Sequence, residues 1–135
     1  MKPQINNILG LDVGDKRIGV ARVNTIARLP EPLEVLQNNE TFTNEIEELV
    51  KQYDVQLLVI GLPRSLNGNE TAQTNTVRLF VANKLKNYAV QWQDETLSSV
   101  VAEAKMREYG LTDQPEMLDA VAACIILEDY ISLCV

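Results

Sequence analysis

The sequence predicts an α/β domain on a five-stranded mixed sheet: a three-strand antiparallel meander, then two parallel strands, with helices on the faces. Three observations carry the prediction. Residues 8–23, ILGLDVGDKRIGVARV, read as two apolar strands joined at a glycine turn. Residues 56–60, QLLVI, form an unbroken apolar run stopped by Gly61, the pattern of a central strand covered on both faces and parallel to the first. Elsewhere the apolar residues recur at helical spacing, so that the meander is followed by helix, strand, helix, strand and two helices.

In the first strand, Ile8, Leu9, Leu11 and Val13 are expected to be buried, and Asp12 interrupts them. A carboxylate is costly to bury unless it is paired, protonated or bound to a cation, so Asp12 needs a partner. Gly14 and Asp15 permit a tight turn, and Arg17 to Val23 returns as the second strand, leaving Asp12 beside the bend. In the plainer reading Asp12 bonds the amides of the turn; in the sharper one it holds a metal ion. Pro30 and Pro32 impose an irregular edge before a short third strand, Leu33 to Leu36. From about Thr41 to Tyr53, the residues Phe42, Ile46, Leu49, Val50 and Tyr53 share one helical face with acids opposite, as a surface helix requires.

The loop at 61–70, GLPRSLNGNE, holds Pro63 and an Asn67-Gly68 turn. A helix from about Glu70 to Asn87 follows, with Val77, Phe80, Val81 and Leu85 as its buried stripe. Ala89 to Gln93 reads as the fifth strand, ends at Asp94-Glu95, and places Trp92 in the core rather than on a base-stacking surface. Thr96, Ser98 and Ser99 offer N-cap oxygens to a helix that runs to Tyr109 and stops at Gly110. Pro115 suits the first turn of a last helix, Glu116 to about Leu133.

A chain of 135 residues, 46% apolar, suits one domain over residues 1–135. There is no apolar run of about 18 residues and no apolar leader in MKPQINN, so a cytoplasmic protein without a membrane span is expected. Cys124 and Cys134 fall in one predicted helix, roughly 15 Å apart at ~1.5 Å per residue, too far for a disulfide. They are expected to be reduced thiols. The absence of histidine removes Ser-His-Asp and Cys-His catalysis and imidazole metal sites together. Chemistry must then run on carboxylates, amines or hydroxyls, and an all-oxygen ligand set favours Mg²⁺ or Mn²⁺.

The net charge of −7 argues against a protein that coats nucleic acid. The acid is uneven, however: Glu31, Glu34, Glu40, Glu45, Glu47, Glu48 and Asp54 share one segment with Lys51 as its lone base. The remainder is nearly balanced, which leaves room for a locally positive face.

Ligands of such sheets gather at the carboxyl ends of the parallel strands, where Asp12, Gly61 and Glu95 all fall. Asp94 and Glu95 point to opposite sides while the strand persists, so only one of them can face the site; Glu95 is taken as that residue and Asp94 as the alternative. Asp119 has Ala122, Ala123 and Ile126 as its helical neighbours, which puts it on the small apolar face that should meet the sheet. Three carboxylates within about 4 Å would repel by roughly 1 kcal/mol per pair in water and about 4 at an effective dielectric of 20. Divalent cations make such company tolerable, and a pair of them would suit in-line phosphodiester cleavage.

The blocks GLDVGDKRIGVA at 10–21, PEPLEVL at 30–36, LLVIGLPRSLNGNE at 57–70, VRLF at 77–80, DETLSS at 94–99 and LDAVAACIIL at 118–127 together resemble the YqgF family, also called RuvX. The resemblance spans nearly the whole chain and implies a ribonuclease H-like fold. It also implies a nuclease, described as a pre-16S ribosomal RNA processing nuclease and, from likeness to RuvC, as a Holliday-junction resolvase. Asp12, Glu95 and Asp119 match the three acids of the family. One departure is chemical: DETLSS replaces the usual DERLTT, so Thr96 stands where the family has an arginine, a neutral donor in place of a charged fork.

Lys16 and Arg17 at the hairpin bend, with Arg64 and Asn67 in the loop after the central strand, are the candidate phosphate-binding residues. Structured RNA is the expected partner and branched DNA the alternative, the first compatible with a monomer and the second requiring a homodimer. Two readings of other classes stand beside the nuclease. One is a nucleotide-phosphate enzyme that holds ATP on an Asp-x-Gly hairpin, disfavoured because such proteins close two domains around ATP. The other is a non-catalytic nucleic-acid-binding module.

Overall fold

The computed structural model describes residues 4–95 and 99–134. Strands β1 (Asn7–Val13), β2 (Arg17–Asn24), β3 (Glu31–Gln37), β4 (Leu57–Leu62) and β5 (Val90–Asp94) form one sheet in the order β3-β2-β1-β4-β5. Around it lie α1 (Phe42–Gln52), α2 (Ala72–Lys84), α3 (Ser99–Glu108), a 3₁₀ turn (Pro115–Met117) and α4 (Leu118–Cys134). β1 pairs antiparallel with β2, and β2 with β3, while β1, β4 and β5 run parallel. The expected five-stranded mixed sheet is therefore the observed one.

Strand alternation divides β1 between two cores. Leu9, Leu11 and Val13 join Phe42, Ile46 and Leu49 of α1 and Val77, Phe80 and Val81 of α2. On this side Phe42 and Phe80 meet with ring centroids 5.1 Å apart and planes tilted by 60°, a favourable edge-to-face arrangement. The other side of β1 carries Ile8, Gly10 and Asp12, and here Ile8, Ala21, Val23, Leu57 and Val59 pack against Ala123, Cys124, Ile126 and Leu127 of α4. Residues Ala120 to Leu127 are all buried, because α4 lies between the sheet and α3 and has no water-facing side in this stretch.

Glycines let α4 lie low. A β-carbon on Gly10 would come within 2.6 Å of Leu127 Cγ, one on Gly61 within 2.3 Å of Ile126 Cδ1, and one on Gly19 within 1.8 Å of the Asp119 carbonyl oxygen. All three glycines face α4 from inside strands, where glycine is otherwise unfavourable. Their bareness brings the first turn of α4 down onto β2.

Three local expectations need correction. The third strand begins at Glu31 and includes Pro32, which is tolerated because β3 is an edge strand and Pro32 need not donate to a second neighbour. Pro115 opens a separate 3₁₀ turn, and the last α-helix begins at Leu118. Trp92 is 37% exposed rather than core, since β5 is the opposite edge; the Arg78 guanidinium lies over its ring at 5.1 Å from the centroid. Cys124 is buried and free. Thr96 and Ser98, with their expected capping and the arginine replacement, lie outside the described residues.

Candidate active site

Asp12 and Gly19 are cross-strand partners in the β1–β2 register, so the small residue opposite Asp12 is the one on which Asp119 rests. The fold thereby draws the first turn of α4 toward the end of β1. From the other side, β5 pairs with β4 up to Asp94, and the next amide, Glu95 N–H, donates to the Leu62 carbonyl at 3.0 Å. Asp94 is registered against Leu62, which belongs to the α1/α2 core, and it accepts from Arg64 Nε at 2.7 Å. Glu95 faces the α4 side: a β-carbon on Gly61 would lie 3.6 Å from Glu95 Oε2.

Asp12 and Glu95 meet as a hydrogen-bonded carboxyl pair. Burial first, then the charges of Glu95 and Asp119, push the Asp12 carboxyl up to about 8, and its proton is donated to Glu95. Glu95 is also raised, because burial outweighs the bond it accepts from Asp12. The hairpin closes without Asp12. Gly14 N–H donates to the Arg17 carbonyl at 2.9 Å, and Asn38 Nδ2 donates to the Gly14 carbonyl at 2.8 Å.

Asp119 has a different partner. Arg17 Nε donates to Asp119 Oδ2 at 3.0 Å, with the arginine side chain 59% exposed and the aspartate 31%. Among the described residues no three acidic or thiol side chains stand together as a ready-made metal cage. Asp12 and Glu95 are paired with each other on one side and Asp119 is turned to Arg17 on the other. The donor set still suits a hard divalent cation: it is all oxygen, Asp12 is pushed up to about 8 and Glu95 is raised as well, and a cation can take the place of the proton that Asp12 holds.

The remaining candidates divide. Lys16 is exposed in the turn between β1 and β2. Arg64 is held away from them, tied to Asp94 and, through Nη1, to the Gly68 carbonyl at 3.3 Å. Asn67 serves its own loop, accepting from the Ser65 hydroxyl. A groove of about 420 Å³ runs beside the site between β3 and the 3₁₀ turn, lined by Arg17, Glu34, Gln37, Glu116, Leu118 and Asp119 among others. Glu34 belongs to the acid-rich segment, so that segment reaches the margin of the site. The bare strand positions Gly10, Gly19 and Gly61 escaped sequence reasoning, although a glycine inside an apolar strand is a signal of close approach. The pairing of Arg17 with Asp119, 102 positions apart, left no such signal.

Residues 6–133 match the profile of the RuvX family, described as a Holliday junction resolvase. The chain belongs to this family. It is 36% identical over 132 residues to a protein of Sulfurihydrogenibium sp., covering 94% of this chain and 90% of that one. A Paraburkholderia phymatum protein is 43% identical over 129 residues, covering 92% of this chain and 83% of that one. Both carry the provisional name of pre-16S rRNA nuclease. Among solved structures, T. thermophilus RuvC in complex with Holliday junction substrate superposes with a TM-score of 0.57 at 16% identity, covering 96% of each chain. The Fowlpox virus resolvase with its Holliday junction DNA does so at 0.55 and 12%, covering 96% of this chain and 99% of that one. These likenesses establish a ribonuclease H-like, RuvC-type fold for this RuvX chain.

Proposed function

We propose that this chain is a divalent-metal-dependent nuclease that hydrolyses phosphodiester bonds in structured RNA, acting as one domain in processing the 5′ end of pre-16S rRNA. The observation that supports the reading is the buried Asp12–Glu95 pair at the carboxyl ends of β1 and β5, within reach of the charge of Asp119 in the first turn of α4. The curated relatives' names supply the substrate class.

Asp12, Glu95 and Asp119 are the residues that would hold Mg²⁺ or Mn²⁺. When bound, two such ions supply the Lewis acidity that makes hydroxide from water near neutral pH and offsets charge on the leaving oxygen. The chain's own contribution is placement. Gly19 of β2 carries the first turn of α4 and pairs across the strands with Asp12 of β1, so Asp12 and Asp119 keep a set spacing, and the buried core beneath excludes water from below. Lys16 and Arg17 on the exposed rim supply positive charge for the phosphates that flank the cleaved bond. Arg64, tied to Asp94 and the Gly68 carbonyl, and Asn67 shape the loop after β4.

The test is cleavage of a pre-16S rRNA 5′ fragment by purified protein with Mg²⁺ or Mn²⁺, alongside Asp12→Asn, Glu95→Gln and Asp119→Asn. Metal-dependent cleavage by the wild type and loss in all three variants supports the reading; cleavage unaffected by Asp12→Asn defeats it. The family description favours a second reading, resolution of four-way DNA junctions. That activity needs paired sites and so a homodimer, and nicking of a synthetic junction with no RNA cleavage would select it.

A further inference from the structure

The ion pair between Arg17 and Asp119 sets two roles against each other. Asp119 is needed as an oxygen ligand, and Arg17 as a partner for phosphate, yet each occupies the other: Arg17 Nε bonds Asp119 Oδ2 at 3.0 Å. The contact follows from the backbone. Arg17 and Gly19 lie on the same face of β2, two residues apart, and the Asp119 carbonyl rests on Gly19, so the guanidinium at the start of β2 meets the acid at the start of α4. Arg17 is also the sole basic residue among those described that line the groove of about 420 Å³, whose other charged residues are Glu34, Glu116 and Asp119. A phosphate that enters there has one cation to meet.

We infer that Arg17 exchanges partners, holding Asp119 in the free protein and a backbone phosphate of the nucleic acid once a divalent cation has taken Asp119, so that cation and nucleic-acid binding are coupled through this one guanidinium. The inference rests on the nuclease reading of the site and adds to it an order of assembly. An exposed Arg–carboxylate pair is weak enough to open readily, while an arginine freed of its acid is a bidentate phosphate donor. Cation binding then releases the phosphate ligand, and by thermodynamic reciprocity nucleic acid tightens the cation by the same factor. Arg17 is on this account a positioning residue for Asp119 and a binding residue for the substrate.

The experiment uses the full chain and two probes. Mg²⁺ alone is titrated by calorimetry at fixed ionic strength. A nuclease-resistant phosphorothioate oligoribonucleotide with a fluorescent label is titrated by anisotropy with and without Mg²⁺. The wild type should bind each probe more tightly in the presence of the other. Arg17→Gln should tighten Mg²⁺ binding to the free protein roughly two- to five-fold, the loss of an exposed competing pair, while weakening the oligonucleotide. The factor by which Mg²⁺ enhances oligonucleotide binding should fall by a similar amount, and Arg17→Lys, which keeps the charge, should restore most of the Mg²⁺ behaviour. Unchanged or weaker Mg²⁺ binding in Arg17→Gln, or an enhancement equal to that of the wild type, overturns the inference and leaves the nuclease reading intact. A wild type that binds neither probe overturns both.

Discussion

Gly19 lies directly beneath Asp119: a β-carbon there would sit 1.8 Å from the aspartate's carbonyl oxygen and 2.7 Å from the Ala120 amide nitrogen. Backbone atoms cannot swing aside as a flexible side chain can. Gly19→Ala should therefore lift the first turn of α4 from β2 and cost about 1–3 kcal/mol of stability, the usual penalty of overpacking. Divalent-cation affinity should fall with it, because Asp119 moves away from Asp12. Urea unfolding and Mg²⁺ calorimetry on the same variant measure the two effects.

Asp12 predicts a pH dependence. Its folded carboxyl is raised to about 8 by burial first and then by Glu95 and Asp119, whereas an unfolded Asp titrates near ~3.9. Between these values the native state binds the proton and the unfolded state does not, so stability falls as pH rises from about 4 to 8 in metal-free protein. Asp12→Asn should flatten that slope and stabilise the metal-free protein at pH ~7.5 by on the order of 2–4 kcal/mol. The same change should lower cleavage by at least ~100-fold, since loss of a ligand costs no less than loss of its supporting partner. Urea midpoints in EDTA across this pH range, compared with cleavage in Mg²⁺, separate the two consequences. A wild-type slope that persists in Asp12→Asn would contradict the assignment.

Lys16 and Arg64 should differ in how they bind nucleic acid. Lys16 is free to meet a phosphate at the hairpin tip, whereas Arg64 is already bonded to Asp94 and the Gly68 carbonyl. Lys16→Ala should weaken oligonucleotide binding uniformly across sequences and reduce the salt slope by about 1. Arg64→Ala should leave that slope closer to the wild type and loosen the loop at 61–70. Anisotropy titrations at several salt concentrations distinguish them.

Cys124 should be chemically silent. Burial pushes its thiol up to about 12, ahead of the opposing effect of the bond with Tyr109, and reactivity belongs to the thiolate. In a Cys134→Ser variant, the single remaining thiol should react with a disulfide reagent at pH 8 only as fast as the chain opens. Fast labelling of the native protein would show that α4 is less tightly covered than its burial implies.

The strand and helix order could be read along the chain because each element has its own local periodicity. The unbroken run at 57–60 meant a strand covered on both faces, and alternation allowed only one of Asp94 and Glu95 to face the site, without saying which. Even Asp119 could be assigned to the sheet side, because its helical neighbours Ala122, Ala123 and Ile126 are small or apolar. Trp92 was misplaced for a related reason: alternation tells which face a residue takes and not whether that face is covered, and at the β5 edge it is partly open to solvent.

By itself, the sequence determined the family and the sheet and offered the three carboxylates as candidates, because these depend on periodicity, composition and short blocks that each lie within a few residues. Only the tertiary structure decided how far α4 descends onto Gly19, that Asp12 and Glu95 meet as a buried carboxyl pair, and that Asp119 turns to Arg17. Those relationships join positions about a hundred residues apart, and they are set by the space left between packed elements, a quantity that no local stretch of chain encodes.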